Sequence, residues 1–143
     1  MNYDDIEILF AEDSMEDAML TIRALNKSGF TNKLLHVKDG AEALDFLYCR
    51  GIYSERNPKA HPKLLLLDLK MPLLDGISMY KELKKIDKNI TICLITADIM
   101  YLEQLKEKIP NIEKFIIYKP ILLRNLKDKI DLLILEKNSM YIS

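Results

Sequence analysis

The sequence predicts an α/β protein with a doubly wound, five-stranded parallel sheet of strand order 2-1-3-4-5. Short apolar runs alternate five times with segments of helical periodicity, a pattern typical of parallel strands joined by helices. The run Leu64–Leu67 is apolar at every position, as expected when helices cover both faces of a strand. Right-handed crossovers favour a doubly wound sheet, and the order 2-1-3-4-5 places a crevice at the carboxyl ends of strands 1 and 3.

The first strand and helix are predicted from an apolar run followed by a helix start signal. Ile6–Phe10 forms the run. Ser14 with Asp17 three residues later resembles a capping box, which opens a helix expected to end near Gly29.

The second strand and helix repeat this arrangement. Leu34–Val37 is the strand, and Asp39 with Glu42 repeats the capping spacing at the start of a helix that runs to about Arg50. Residues 51–62 contain two prolines and few large apolar side chains, so they are predicted to form a surface loop.

The remaining three strand and helix pairs are predicted from apolar runs and helical spacing. The predicted strands are Leu64–Leu67, Ile90–Ile95 and Phe115–Tyr118. Predicted helix 3 runs from Asp75-Gly76 to about Asp87. Helix 4 has Leu102, Leu105 and Ile109 on one face and ends before Pro110, and helix 5 runs from about Leu122 to Glu136.

Composition indicates a globular protein without a nucleic-acid or membrane partner. The 143 residues fit one domain, 1–143, and 21 basic residues balance 22 acidic ones. No apolar run reaches the roughly 18 residues of a membrane helix, and the acidic start does not resemble a signal peptide. We therefore expect a cytoplasmic protein in which Cys49 and Cys93 are reduced thiols. The two histidines, His36 and His61, lack metal-ligand spacing.

Polar residues follow four of the predicted strands at their carboxyl ends. Because the strands are parallel, these residues lie at one edge of the sheet, around the predicted crevice. Singly, each could be a turn residue, a helix cap or a solvated charge. The residues are Glu12 and Asp13 after strand 1, Asp68 after strand 3, Thr96 at the end of strand 4 and Lys119 after strand 5.

Three converging carboxylates predict a divalent cation at this edge. Two unit charges about 4 Å apart repel by about 4 kcal/mol at an effective dielectric constant near 20, and a cation removes this repulsion. A small set of hard oxygen ligands suits Mg²⁺ better than zinc. A lysine and a threonine hydroxyl could bind the free oxygens of a phosphoryl group, which suggests phosphoryl transfer onto Asp68 as the nucleophile.

The chain resembles the receiver domains of two-component response regulators, which have the CheY-like variant of the flavodoxin-like fold. The resemblance rests on four motifs in the expected order, and it spans about Glu7 to Leu135. They are "ILFAEDS", "LLLLDLKMPLLDG", "CLITAD" and "IIYKP".

The resemblance implies that Asp68 accepts a phosphoryl group from a histidine kinase. It further implies that Asp13, Asp68 and the backbone carbonyl of Lys70 bind Mg²⁺, with Glu12 acting through a metal-bound water. Thr96 and Lys119 would contact the phosphoryl group, and Ala97 would leave room for the movement of Thr96. The implied output is a change in the face formed by helix 4, strand 5 and helix 5, which could also form a homodimer.

Within the family the chain is similar to stand-alone regulators of phytochrome-type histidine kinases, through "HVKDGAEALDFLYCRGIY" and the loop after it. It departs from the family at Ile116, where receivers usually carry Tyr or Phe. Either Phe115 takes the role of that aromatic switch residue, or Ile116 fills the position without a rotating ring.

Three other functions remain as alternatives. An aspartyl-phosphate hydrolase needs an acid two residues after its nucleophile, where this chain has Lys70. A flavodoxin needs hydrogen-bond donors where the loop "AEDSMED" is acidic. A phosphorylation-independent binding module would not need the five site residues. The sequence therefore favours a phosphoacceptor switch rather than a turnover enzyme.

Overall fold

The fold is a five-stranded parallel sheet with strand order β2-β1-β3-β4-β5, which confirms the predicted fold class and strand order. The computed structural model describes residues 2–27, 29, 31–68, 82, 85, 91–96, 103, 106, 107 and 116–118. The strands are β1 (Ile8–Ala11), β2 (Leu34–Val37), β3 (Leu64–Asp68), β4 (Thr91–Thr96) and β5 (Ile116–Tyr118).

The limits of β2 are those predicted, and the other strands differ from the predicted limits by one or two residues at one or both ends. β1 begins at Ile8 rather than Ile6, because a short 3-10 helix over Tyr3–Asp5 occupies the start of the chain. β3 extends one residue further than predicted, since Asp68 still pairs with Ile95 of β4. Asp68 is therefore part of the sheet and not of the loop that follows.

The first two helices begin where their capping residues predict. Helix α1 (Met15–Lys27) is capped by Ser14, whose hydroxyl oxygen accepts a hydrogen bond from the Asp17 N–H at 3.2 Å. Helix α2 (Gly40–Leu47) is capped by Asp39, whose carboxylate accepts from the Glu42 N–H at 2.8 Å.

Helix α2 ends at Leu47, earlier than the predicted end at Arg50. The backbone of Cys49 has a φ of 56°, in the left-handed region that terminates a helix. The three later helices predicted from sequence lie outside the described residues, apart from five helical positions. These positions are Glu82, Lys85, Glu103, Lys106 and Glu107.

The core that supports the crevice lies between the sheet and α1. Residues that pair across parallel strands project to the same face, so Ile8 and Phe10 of β1 lie beside Leu64 and Leu66 of β3. These four side chains are fully buried, together with Ala18 and Leu25 of α1 and Ile95 of β4. This packing fixes β1 and β3, and therefore also the positions at which the residues after them leave the sheet.

The segment 51–62 was predicted to be a surface loop, and the structure corrects this prediction in part. Gly51–Tyr53 forms a 3-10 helix, and the side chains of Tyr53, Arg56 and Pro62 are buried. Most other residues of the segment are exposed, as predicted, but these buried side chains attach it to the domain. Among the described residues, no helix is both long enough and apolar enough to cross a membrane.

Candidate functional site

Glu12 and Asp68 stand at the same level of the sheet, on neighbouring strands. Ala11 ends β1 and pairs with Leu67, so the next residue on each strand is an acid. The N–H of Glu12 donates to the Val37 carbonyl oxygen at 3.0 Å, which continues the contact between β1 and β2 by one residue. The carboxyl edge of the sheet thus fixes the backbone of both acids.

The three carboxylates predicted to form the site do converge. One carboxylate oxygen each from Glu12, Asp13 and Asp68 lies within 4.8 Å of the other two. Glu12 is 1% exposed and Asp68 is 2% exposed, whereas Asp13 is exposed to solvent. The cluster is therefore closed on the protein side by two buried acids and open on the side of Asp13.

This arrangement suits a divalent cation. Burial of two carboxylates is costly unless their charge is compensated, and three acids at this separation repel each other. Three hard oxygen donors with an open side match Mg²⁺, which keeps several waters and binds through one or two carboxylates. Within the described residues the candidate metal-binding group contains no histidine or cysteine, so its donor set does not suit zinc.

Hydrogen bonds hold the short connection between β1 and α1, which carries two of the acids. The Ser14 N–H donates to a carboxylate oxygen of Glu12 at 3.4 Å, while the Ser14 hydroxyl caps α1. The imidazole Nε2–H of His36 donates to the Glu12 backbone carbonyl oxygen at 2.8 Å.

Sequence reasoning gave His36 no part in the site, because it tested the histidines only as metal ligands. In the structure, His36 of β2 pairs with Phe10 of β1, and Glu12 follows Phe10 by two residues, but the strand pattern in the sequence does not reveal this pairing.

Of the remaining predicted site residues, the structure describes the backbone of Thr96 alone, and the others lie outside the described residues. Thr96 is the last residue of β4 and pairs with Tyr118, so Lys119 follows directly after β5. Thr96 is also one residue beyond Ile95, the partner of Asp68. The side chain of Thr96 lies outside the described part of the structure, as do Lys70, Ala97, Phe115 and Lys119.

Comparison with known families gives one match along most of the chain. The family model described as "Response regulator receiver domain" matches residues 8–131.

Three curated relatives have about one third of their aligned residues in common with this chain. The response regulator Rcp1 of Synechocystis sp. (strain ATCC 27184 / PCC 6803 / Kazusa) is 36% identical over 92 residues, which cover 63% of this chain and 60% of Rcp1. Sporulation initiation phosphotransferase F of Bacillus subtilis (strain 168) is 33% identical over 91 residues, covering 64% of each chain. The probable methanogenesis regulatory protein FilR2 of Methanothrix harundinacea (strain 6Ac) is 34% identical over 85 residues, 59% of this chain and 52% of FilR2. The chain thus spans between half and two thirds of the length of these relatives.

Solved structures include regulators of phytochromes. The bacteriophytochrome response regulator AtBRR superposes with a TM-score of 0.77 at 30% identity, covering 88% of this chain and 90% of AtBRR. The bacteriophytochrome response regulator RtBRR gives 0.76 at 28% identity, with 88% and 76% covered. The phosphorylated cyanobacterial phytochrome response regulator RcpA gives 0.64 at 26% identity, with 93% and 89% covered.

These likenesses confirm the predicted resemblance to phytochrome-type regulators. Together with the strand order and the acidic cluster, the family match leads to one conclusion. The chain belongs to the response regulator receiver domain family of two-component signalling.

Proposed function

We propose that Asp68 accepts a phosphoryl group from a histidine kinase or a histidine phosphotransfer protein, and that the chain acts as a Mg²⁺-dependent switch. The observation that carries this proposal is the convergence of Glu12, Asp13 and Asp68 within 4.8 Å at the carboxyl edge of the sheet. Membership of the receiver family supports it.

Asp68 is the nucleophile in this proposal. One of its carboxylate oxygens forms a bond to phosphorus as the phosphorus–nitrogen bond of the donor histidine breaks. The imidazole leaves with the electron pair of that bond and takes up a proton. β3 holds Asp68 rigidly for this attack, because all five of its residues are buried.

Glu12, Asp13 and Asp68 are the residues that would hold Mg²⁺, together with the carbonyl of Lys70, and Glu12 would act through water. Bound Mg²⁺ supplies positive charge that offsets both the carboxylates and the phosphoryl oxygens. Thr96 and Lys119 bind the phosphoryl oxygens as hydrogen-bond donor and point charge, and Ala97 leaves room beside Thr96.

The output is a population shift in the face made by helix 4, strand 5 and helix 5. Phe115 is the candidate for the aromatic residue of this switch, and the same face is a candidate for homodimer formation. The proposed partners are a sensor histidine kinase of the phytochrome type or a phosphotransfer protein, and a downstream protein. The chain acts as a phosphoacceptor in the cytoplasm and not as a turnover enzyme.

The test is the intact mass of the protein after incubation with acetyl phosphate, with Mg²⁺ or with EDTA. We expect the gain of one phosphoryl group with Mg²⁺, no gain with EDTA and no gain for Asp68→Ala. Asp45→Asn is the control, because Asp45 is a half-exposed carboxylate of α2 whose loss leaves the cluster intact. The control should gain the phosphoryl group as the wild type does.

Absence of any mass gain would contradict the proposal and would favour a phosphorylation-independent interaction module. A gain that persists in Asp68→Ala would place the acceptor at another residue.

A further inference from the structure

Both backbone polar groups of Glu12 are bonded to β2. The N–H donates to the Val37 carbonyl oxygen at 3.0 Å, and the carbonyl oxygen accepts from the His36 Nε2–H at 2.8 Å. The first bond continues a strand ladder, whereas the second depends on a particular side chain. A carbonyl oxygen can only accept, so Nε2 of His36 must carry the proton.

The carbonyl of Glu12 belongs to the peptide plane that leads into Asp13. Because that plane is rigid, fixing the oxygen limits the direction in which the next residue leaves the strand. Glu12 and Asp68 are also held by burial, but Asp13 is exposed. The His36 bond is therefore a restraint on the member of the cluster that burial does not hold.

Electrostatic repulsion makes this restraint important. Without a cation, an exposed carboxylate can lower its energy by turning away from two buried carboxylates into water. A fixed peptide plane holds the Cα of Asp13, which lies in that plane, and so limits how far the Asp13 oxygen can move from the other two, which lie within 4.8 Å of it. Preorganisation of this kind raises the affinity for a cation, since less order must be gained on binding.

The sheet determines the position of His36. His36 pairs with Phe10, and the two rings lie 5.6 Å apart between centroids. The imidazole is half-buried and projects from the same face of the sheet as Phe10. Phe10 is two residues before Glu12, so the Glu12 side chain lies on that face as well. The ring thus has both a packing contact and a hydrogen bond that fix its orientation.

We propose that His36 is a positioning residue of the cation site, which acts by holding the Glu12–Asp13 peptide plane through its Nε2–H. This inference rests on the proposed function, because it requires that the three acids bind Mg²⁺. His36 itself contacts neither the cation nor the phosphoryl group in this proposal.

The test compares Mg²⁺ affinity, measured by calorimetric titration, in the wild type, His36→Met and His36→Gln. Glutamine keeps an N–H donor at about the reach of Nε2, whereas methionine has a similar length and no such donor. We expect His36→Met to weaken Mg²⁺ binding about tenfold, as is typical for groups that orient metal ligands without binding the metal. His36→Gln should recover most of the affinity.

Two further variants separate this role from a general loss of stability. His61→Met makes the same chemical change at an exposed histidine that precedes β3, at the opposite edge of the sheet. Leu34→Ala removes a core contact from β2. Leu34→Ala should lower the midpoint temperature of thermal unfolding in EDTA. Even so, Leu34→Ala and His61→Met should both bind Mg²⁺ with the affinity of the wild type.

Equal Mg²⁺ affinities for His36→Met and the wild type would overturn the inference while leaving the proposed function intact. Equal losses in His36→Met and His36→Gln would also overturn it, because the donor would then not be the cause. A wild type that binds no Mg²⁺ would contradict the proposed function itself, and the inference would fall with it.

Discussion

Asp68 occupies a position at which a buried strand would ordinarily continue with an apolar side chain. It follows Leu67 in β3, where every residue is buried, and is itself 2% exposed. Two more carboxylates lie beside it. Asp68 is therefore a buried acid in a cluster of like charges that repel each other, and a bound cation would reduce this repulsion.

Asp68→Asn is expected to raise the free energy of unfolding in EDTA by about 1–3 kcal/mol. The reason is that the variant removes one charge from a cluster in which a pair about 4 Å apart repels by about 4 kcal/mol at an effective dielectric near 20. Urea denaturation measures the change. Saturating Mg²⁺ should reduce or reverse the difference, because a ligand that binds only the folded wild type stabilises it.

Asp45→Asn is again the matched control for this measurement. Its carboxylate is 48% exposed and pairs with Arg50 at 3.2 Å, so the change should stay within about 1 kcal/mol. A lower free energy of unfolding for Asp68→Asn in EDTA would show that hydrogen bonds to the carboxylate outweigh the repulsion.

Single residues of the site differ in how far the sequence predicts them. Glu12, Asp13 and Asp68 were predictable, because parallel strands must end at one edge and each acid follows an apolar run. His36 was not, since its bond depends on where the Glu12 carbonyl points after β1 has ended. Strand pattern specifies neither that direction nor the side-chain rotamer.

The segment 51–62 is attached to α2 by Arg56. The guanidinium lies 3.7 Å from the centroid of the Phe46 ring and donates to the backbone carbonyl oxygens of Phe46 and Ala60. It also lies 3.3 Å from the Cys49 sulfur. Arg56 is only 6% exposed, so its contacts are made largely out of water.

Aromatic rings extend this attachment to the beginning of the chain. The centroid of the Tyr53 ring lies 5.2 Å from that of Phe46 and 5.0 Å from that of Tyr3, and both contacts are edge-on. The Asn57 N–H donates to the Asp4 carboxylate at 2.8 Å. The segment 51–62 therefore joins the N-terminal 3-10 helix to α2.

Arg56→Ala is expected to lower the free energy of unfolding by about 2–4 kcal/mol. It removes the stacked cation and the guanidinium hydrogen bonds to two carbonyl oxygens, although the Phe46 oxygen keeps the Cys49 N–H as a donor at 3.2 Å. A lost hydrogen bond to a charged donor is worth about 1.5–3 kcal/mol. Arg56→Lys should have an intermediate effect, because an ammonium group lacks the planar fork that reaches both oxygens. Chemical denaturation monitored by circular dichroism measures both changes.

Arg50→Ala provides the comparison for Arg56→Ala. Arg50 also lies over an aromatic ring, that of Tyr48, at 4.6 Å, but its side chain is 56% exposed. The expected loss is below about 1 kcal/mol. Equal losses at the two arginines would contradict a special role for Arg56.

The limits of helices were predictable where residues close in sequence determine them. They were not predictable where contacts between distant residues do. The starts of α1 and α2 follow from Ser14 and Asp39 as caps. The end of α2 does not, because Cys49 takes a positive φ that only a few per cent of non-glycine residues adopt. The packing of segment 51–62 could not be predicted, because it depends on the burial of Arg56 and arginine is normally a surface residue.

At the scale of the whole molecule, alternation and handedness reduce the possible strand orders to a few, and the commonest of these was the predicted one. Five strands joined by helices, with right-handed crossovers, have few possible orders, and the observed β2-β1-β3-β4-β5 is a common one. Strand limits were less predictable, because pairing with neighbours sets them. Asp68 belongs to β3 because Ile95 lies opposite, a fact that composition does not reveal.

Tyr53 connects three parts of the molecule through one hydroxyl group. The phenol is 3% exposed and its O–H donates to the Glu42 carboxylate at 2.8 Å. The other Glu42 oxygen accepts from the Lys38 N–H at 3.0 Å, just after β2. Burial, followed by the hydrogen bond to Glu42, raises the pKa of Tyr53 well above its ordinary value of 10.0.

This raised pKa makes stability depend on alkaline pH. The folded state keeps the phenol proton at a pH where the unfolded chain has lost it, so the contribution of Tyr53 is complete below about pH 10 and falls as pH rises above that value. We expect the free energy of unfolding to decrease above pH 10 by up to about 1.4 kcal/mol per pH unit from this group.

Tyr53→Phe should be slightly less stable at pH 7, because it has lost the hydrogen bond to Glu42, but its free energy of unfolding should decrease less steeply above pH 10. Tyr48→Phe, at a position 41% exposed where a hydrogen bond to Glu82 also raises the pKa, should remove less of the decrease than Tyr53→Phe does. Urea unfolding between pH 7 and 11 distinguishes them, and identical slopes for Tyr53→Phe and the wild type would assign the alkaline loss to other groups.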